Sequence, residues 1–255
     1  METIGSDRIR RRFSRALSTY REHAVAQQRI GEYLASLLPV YTNASFQKAL
    51  EIGCGTGGFT RELEQCARIE EWEMNDLCGD CFQAIRSLFP QAAPVFWPGD
   101  AASLSFAGPY DLIASASAFQ WMEDLPSFFE KLASLLKPSG VLLFNTFTPG
   151  NLKEIKQLTG KGLAYPPSSH IRAWLEPSFE LLHEEETRIS LSFRTPLDVL
   201  RHLKYTGVTA TGDGTSWTRG KQETFCNLYR QLFATETNEV TLTYQPLYIL
   251  AVKKK

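Results

Sequence analysis

The chain has 255 residues, 43% of them hydrophobic and 22% charged, and its 27 lysines and arginines against 28 aspartates and glutamates give a formal net charge of −1. That length suits one large domain, or a core domain with an appended piece, and the near-zero charge creates no overall field for nucleic acid or a membrane surface. No apolar run approaches the ~20 residues of a membrane span, and the opening METIGSDRIRRRFSR lacks the apolar centre of a secretory signal, so the expected compartment is the cytoplasm.

Apolar residues at Ile9, Phe13, Ala16, Leu17, Tyr20, Ala24, Val25, Ile30, Leu34 and Leu37 recur near the helical period and predict one helix over 9–38, ended by Pro39. Strands and helices then alternate. KALEI (48–52) precedes a helix over 59–66, EWEMN (71–75) a helix over 80–88, and PVFW (94–97) a loop. YDLIASA (110–116) leads to a helix over 125–137, and GVLLFNTF (140–147) follows a stop at KPSG (137–140). This alternation predicts a parallel sheet with helices on both faces. The runs at 110–116 and 140–147 are apolar on consecutive residues, as strands buried on both sides must be. Beyond Gly150 the pattern predicts helices over 151–159, 168–175, 196–206 and 219–233, a strand over 180–191, and a final strand, VTLTYQPLYILAV (240–252). Residues 192–238 interrupt the last strand pair and read as an inserted helical cap.

The five cysteines, at 54, 66, 78, 81 and 226, are odd in number and irregularly spaced, which fits reduced thiols better than a disulfide framework. Cys78 and Cys81 form a CxxC, readable as a redox dithiol or as two thiols in the first turn of a helix. A zinc site needs two more ligands, and the histidines stand apart at 23, 170, 183 and 202, so no metal is expected.

The stretch ALEIGCGTGGFT (49–60) places Glu51, Gly53, Gly55 and Gly57 at the end of an apolar strand. Glycine permits positive φ in a tight turn and lets a ligand lie on bare backbone. No lysine follows, so the GxxxxGK[ST] phosphate cradle is absent, and Glu51 has the wrong charge for a pyrophosphate; the turn suits a cationic, amino-bearing ligand. Asp76 stands 19 residues after Gly57 at the end of the second strand, where a carboxylate accepts both hydroxyls of a ribose. Asp100, in PGDAASL (98–104), follows the third strand, placed to accept from an adenine amino group. Either acid alone also reads as a helix cap. Three acids at successive strand ends converge on the crevice where open α/β sheets bind ligands, which predicts a nucleoside-bearing cofactor.

Region 48–147 resembles the class I S-adenosylmethionine-dependent methyltransferases, whose LEIGCGTG motif is present. The whole chain resembles the malonyl-[acyl-carrier protein] O-methyltransferase family of biotin synthesis, through FSRALSTYREHAVAQ (13–27), FQWMEDL (119–125), LLKPSGVLLFNTFTPGNLKE (135–154), PLDVLRHLKYTGV (196–208), WTRG (217–220) and LTYQPLY (242–248). The resemblance implies a Rossmann-like seven-stranded sheet with its last strand antiparallel, an N-terminal helical lid over 1–40 and the methyltransferase domain over 41–255. It implies S-adenosyl-L-methionine as methyl donor, S-adenosyl-L-homocysteine as product, no metal, and acidic malonyl-acyl carrier protein as the partner substrate. By motif position, Gly53, Gly55 and Gly57 would line the methionine part and Glu51 would lie near its amino group. Asp76 would hold the ribose, Asp100 and Ala101 would face the adenine, and Leu77, Ser115 and Tyr20 complete the expected set. After DLIAS the family usually has asparagine, and this chain has Ala116.

The implied acceptor is a carboxylate, ionised at neutral pH from an ordinary pKa of about 4, so no general base and no catalytic triad is expected. Alignment of bound reactants supplies roughly 7–11 kcal/mol of barrier reduction. The carboxylate needs an orienting partner, for which Arg201, with Lys204 on the same helical face and His202 beside them, is the candidate; a solvated basic face is the other reading. Tyr20 and His23 match the family's YxxHA and would sit in the lid near the substrate. Gln120 and Trp121, after the fourth strand, would wall the transfer site, although Tyr20 and Trp121 also read as packing residues. Arg8, Arg10, Arg11, Arg12 and Arg15 would steer an acidic carrier protein or form a solvated arm. Nucleic acid is set aside, since no recognition motif accompanies them. The competing readings are a methyltransferase for another small acid or a quinone-type carbon, and a cofactor-binding interaction module.

Overall fold

The computed structural model describes residues 5–91, 93–208 and 218–255. Trp217 of the WTRG motif and the stretch 209–217 of the expected cap lie outside the described residues. The chain opens with α1 (Ser6–His23), α2 (Val25–Ser36) and α3 (Leu38–Tyr41). The single predicted helix is therefore three. It breaks at Ala24, whose ψ of 43° leaves the helical region while its N–H still bonds Tyr20 O at 2.8 Å. Pro39 does not end a helix; it lies in the first turn of α3, where a missing N–H costs nothing.

The alternating region follows as β1 (Ser45–Ile52), α4 (Gly58–Cys66), β2 (Arg68–Asp76), α5 (Cys81–Arg86), β3 (Val95–Pro98), β4 (Tyr110–Ser115), α6 (Leu125–Leu135) and β5 (Leu136–Phe147). Then come α7 (Lys153–Thr159), α8 (Ser168–Leu175), β6 (Phe179–Glu186), β7 (Ile189–Phe193), α9 (Pro196–Tyr205), α10 (Arg219–Phe233), β8 (Val240–Tyr244) and β9 (Pro246–Lys253). The main sheet has seven strands in the order β3-β2-β1-β4-β5-β9-β6, with β1 to β5 parallel and β9 antiparallel to both neighbours. The chain leaves β1 toward β2 and β3 and returns to its other side as β4. That reversal opens a crevice at the carboxyl ends of β1 and β4.

Three strand boundaries differ from expectation. KPSG is not a stop before β5 but a kink within it: Leu136 already pairs with Tyr110, Ser139 takes a φ of 63°, and the register shifts before Val141. The strand expected over 180–191 is β6 and β7, and the one expected over 240–252 is β8 and β9, with β7 and β8 forming a separate two-stranded sheet. The second break follows from local bonding. Gln245 spends its N–H on Asn151 Oδ1 at 3.1 Å and its carbonyl on Thr148 N–H at 3.1 Å, and Pro246 has no N–H to continue a ladder.

Alternation along the strands builds two cores. Leu112, Ala114 and Leu143 join Leu34, Phe59 and Leu63 beneath α2 and α4, while Ile113, Leu142 and Phe144 join Phe119, Phe129 and Ile171 beneath α6 and α8. Each leucine, isoleucine and phenylalanine among them contributes about 1.5–3 kcal/mol by leaving water. Among the described residues no helix is long and apolar enough to cross a membrane.

Candidate active site

At the carboxyl edge of the sheet, a cavity of about 300 Å³ lies between the turn after β1, the ends of β2, β3 and β4, and a roof formed by α1 and α2. Its size falls at the lower end of small-molecule sites. Gly53 and Gly55 both take positive φ, 73° and 51°. A Cβ on Gly53 would stand 2.5 Å from Ala118 Cβ, whereas one on Gly55 meets nothing within 4 Å, so the backbone at Gly55 faces open space. The Gly55 N–H donates to Asp76 Oδ2 at 2.9 Å and the Cys78 N–H to Asp76 Oδ1 at 2.7 Å. Burial raises the Asp76 carboxyl while these bonds oppose the rise. Asp100 accepts the Ala102 N–H at 2.9 Å and the Ser6 hydroxyl at 3.0 Å, tying the start of α1 to the end of β3. Asp76, Leu77, Asp100, Ala101 and Tyr20 all line this one cavity.

Glu51, Gly57 and Ser115 support the wall from behind and are not on its surface. Gly57 packs against Leu88 and Ile85, and the Ser115 hydroxyl donates to Ile52 O at 2.8 Å, joining β4 to β1. Glu51 is buried, with Oε2 accepting the Thr60 hydroxyl at 2.7 Å and Oε1 without a partner. Burial pushes its carboxyl up to about 8, with Asp76 adding to the rise. A raised carboxyl binds a proton in the folded state that the unfolded chain has released above about pH 4.3. The Glu51 contribution to the stability of the ligand-free protein is therefore expected to fall, by on the order of 3 kcal/mol, as pH rises from about 5 to 8. Urea denaturation across that range should show the wild type losing about that much more stability than Glu51→Gln; parallel pH profiles would mean that Glu51 is charged throughout.

A smaller recess of about 20 Å³ adjoins the cavity, and Phe13, Tyr20, Gln27, Ser117 and Trp121 line both. Its far side mixes polar Gln120, Asn151, Tyr165, Thr206 and Tyr244 with apolar Phe147, Leu152, Leu163 and Val208. Trp121 is carried on a short 3-10 turn, Phe119–Trp121, and Phe13 meets its ring edge-on with centroids 5.8 Å apart. Ser117 has a φ of 56°, held by its N–H donating to Asn145 Oδ1 at 2.8 Å. The Gln120 amide donates to Ser117 O at 2.6 Å. The Ser117 hydroxyl, Trp121 Nε1 and the amide oxygens of Gln27 and Gln120 are buried without partners.

The structure does not bring the expected α9 residues to this seam. Arg201 is exposed and pairs with Asp198 at 2.7 Å, and Lys204 is exposed. His202 is buried behind the recess, sharing a 2.8 Å hydrogen bond with the Tyr244 hydroxyl. Burial, helped by nearby His23, pushes His202 down to about 4, so it is neutral. His23 itself stacks on Tyr205 with centroids 4.5 Å apart. The cysteines are free thiols; Cys81 lines the cavity and Cys78 lies 2.9 Å from the Ser14 hydroxyl. Among the described residues no group of three or more histidines, cysteines or acids could hold a metal ion.

Residues 20–186 match a family described as "Methyltransferase domain". The chain is 45% identical to the malonyl-[acyl-carrier protein] O-methyltransferase of Porphyromonas gingivalis, the match covering 98% of this chain and 97% of that protein. It is 41% identical to the protein of the same name from Haemophilus ducreyi, covering 100% and 99%. The chain belongs to the malonyl-[acyl-carrier protein] O-methyltransferase family. The fold is shared with the N-methyltransferase NodS of Bradyrhizobium japonicum, solved in complex with S-adenosyl-L-homocysteine, at a TM-score of 0.55 and 13% identity over 97% of this chain and 99% of that one.

For this family member, several lining residues carry no local signal in the sequence. Ser117 hides in the run ASASA, and Asn151, Tyr165 and Tyr244 meet only because β5, β8 and the loop after α7 converge. Gln27 lies inside a stretch that shows the resemblance, yet nothing in its spacing marks it as a lining residue.

Proposed function

We propose that the protein transfers a methyl group from S-adenosyl-L-methionine to the free carboxylate of a malonyl thioester on acyl carrier protein, in the cytoplasm and early in biotin synthesis. The observation that carries this reading is a cavity lined by the glycine turn, Asp76 and Asp100, with a small recess adjoining it at a shared seam where an acceptor group could meet the donor. The residues fit the methyl donor. Bare backbone at Gly55 faces the cavity, and Asp76 and Asp100 open onto the same space. When bound, that donor supplies a methyl group on a sulfonium, whose thioether product needs no proton to leave.

A carboxylate has about four acceptor sites, so Asp76, bonded by the Gly55 and Cys78 N–H groups and the Cys81 thiol, keeps capacity for a ribose hydroxyl. Asp100 and Ala101 face the adenine. Glu51 backs the glycine turn, where a cationic amino group nearby would favour its charged form. The acceptor oxygen forms its bond to the methyl as the sulfur–carbon bond breaks, the electron pair staying on sulfur, and no proton moves. The chain contributes alignment at the seam and exclusion of water by α1. The exposed Arg11 and Arg15 on α1 provide positive charge for an acidic carrier protein.

The test is incubation with S-adenosyl-L-methionine and either malonyl-acyl carrier protein or malonyl-coenzyme A, read by mass spectrometry. A methyl ester on the carrier-bound malonyl group is the expected product, and none on either thioester would end this reading. The pair Arg11→Glu and Arg15→Glu is expected to raise KM for the carrier-bound substrate about tenfold at low salt, with the effect shrinking at high salt and kcat retained.

A further inference from the structure

A carboxylate entering the seam meets no basic side chain. None of the residues lining the recess is lysine or arginine. Arg21 and Arg61 line the larger cavity but not the recess. The residues outside the described set (1–4, 92 and 209–217) include neither lysine nor arginine in the sequence. His202 is the titratable base behind the recess; its Nε2 is engaged by Tyr244 and it is neutral.

The seam offers uncharged donors instead. Trp121 Nε1–H and the Ser117 hydroxyl are buried without partners, and both residues line the two cavities at once. Buried polar atoms in folded proteins are nearly always bonded, so the two donors orphaned at this junction indicate an acceptor that arrives with the substrate, and the amide oxygens of Gln27 and Gln120, orphaned beside them, a donor group next to it. Ser117 is held there in a left-handed backbone conformation by Asn145, a strained placement of the kind found at working sites. Tyr20 lines the same junction, and burial keeps its phenol protonated, as it does those of Tyr165 and Tyr244 around the recess.

Resting on the reaction proposed above, we infer that the acceptor carboxylate is held at this seam by uncharged donors alone, Trp121 Nε1–H with the Ser117 and Tyr20 hydroxyls, so that the positive charge of the methyl donor in the next cavity is its counter-charge. Neutral donors fix the carboxylate's position while drawing less on its lone pairs than a bidentate arginine does. Acceptor binding then depends on the charge of the neighbouring ligand. After transfer both products lack the paired charges, the ester being neutral and the donor a thioether, and the seam releases them.

The test is calorimetric binding of malonyl-acyl carrier protein to the protein saturated with sinefungin, which carries an ammonium in place of the sulfonium and no transferable methyl, or with neutral S-adenosyl-L-homocysteine. Binding is expected to be at least about tenfold tighter with sinefungin, the scale of one charge interaction in a partly dry site. Trp121→Phe keeps the ring and removes the N–H; it and Ser117→Ala are each expected to lower kcat/KM about 10- to 100-fold. Because both residues also line the larger cavity, sinefungin affinity is measured alongside and is expected to fall by a smaller factor than kcat/KM in each variant. Equal acceptor affinity in the two complexes, or a larger loss of kcat in Arg201→Ala than in Trp121→Phe, would overturn the inference while methyl transfer to the malonyl thioester still occurs. Absence of that transfer in the wild type would instead defeat the proposed function.

Discussion

Asp76→Ala is expected to lower the affinity for S-adenosyl-L-methionine about 10- to 100-fold and to destabilise the ligand-free protein by about 2–6 kcal/mol. Both effects have one source. The carboxylate is the acceptor for the Gly55 and Cys78 N–H groups, so it fixes the turn after β1 against the turn after β2. Truncation leaves two buried donors unmade, each costing about 1–3 kcal/mol, and removes the acceptor for a ribose hydroxyl at about 1.5–3 kcal/mol more. Asp76→Asn should fall between, because an amide oxygen can accept one of the two N–H groups while its NH2 opposes the other. Calorimetric titration and urea denaturation measure the two quantities. Wild-type affinity in Asp76→Ala would remove this residue from the cofactor site.

Gly53→Ala and Gly55→Ala should fail in different ways, although two residues apart on one turn. Both positions have positive φ, where a Cβ costs roughly 1–2 kcal/mol. At Gly53 the new methyl group also stands 2.5 Å from Ala118 Cβ, an atom anchored directly to backbone that cannot swing aside. Overpacking of that kind adds about 1–3 kcal/mol. Gly53→Ala is therefore expected to lose about 2–5 kcal/mol of stability, a fall in Tm on the order of 10 °C for a chain of this size. At Gly55 the methyl group enters open cavity, so the stability loss stays near the backbone cost of roughly 1–2 kcal/mol. Cofactor affinity should nonetheless drop about tenfold or more, because the ligand loses its approach to bare backbone. Thermal unfolding with calorimetry separates the pair; the reverse ranking in stability would show that the turn is not packed as described.

The parallel half of the sheet was legible because consecutive apolar runs and glycine turns are local signals, and β1 to β4 lie within a few residues of their expected bounds. The cavity-lining acids Asp76 and Asp100 were legible for the same reason: one ends its strand and the other is the first acid after the next. Glu51 and Ser115 sit at equally suggestive positions yet stand behind the wall, since alternation along a strand turns neighbouring side chains to opposite faces. The antiparallel half was read less well. A continuous β pattern over 240–252 conceals that Gln245 bonds sideways to Thr148 and Asn151, which only the folded loop after β5 makes possible. Arg201 was singled out by residue type and helical spacing, but spacing gives a face without saying where that face points. Its partner Asp198, one turn earlier, competes for the same guanidinium.

The division of the last strand at Gln245 determines what the cap can vary. Tyr244, the wall of the recess nearest the cap, is the final residue of β8, one position from where the chain rejoins the large sheet. Thr187, on the companion crossing, donates its N–H to Pro246 O at 3.0 Å. The recess is thus tied to the large sheet at its base and to α9 above it, through His202 on the Tyr244 hydroxyl and Thr206 in its lining. A change between Phe193 and Val240 that shifts α9 is therefore expected to reshape the recess itself, and to leave the larger cavity at the carboxyl edge of the sheet less altered.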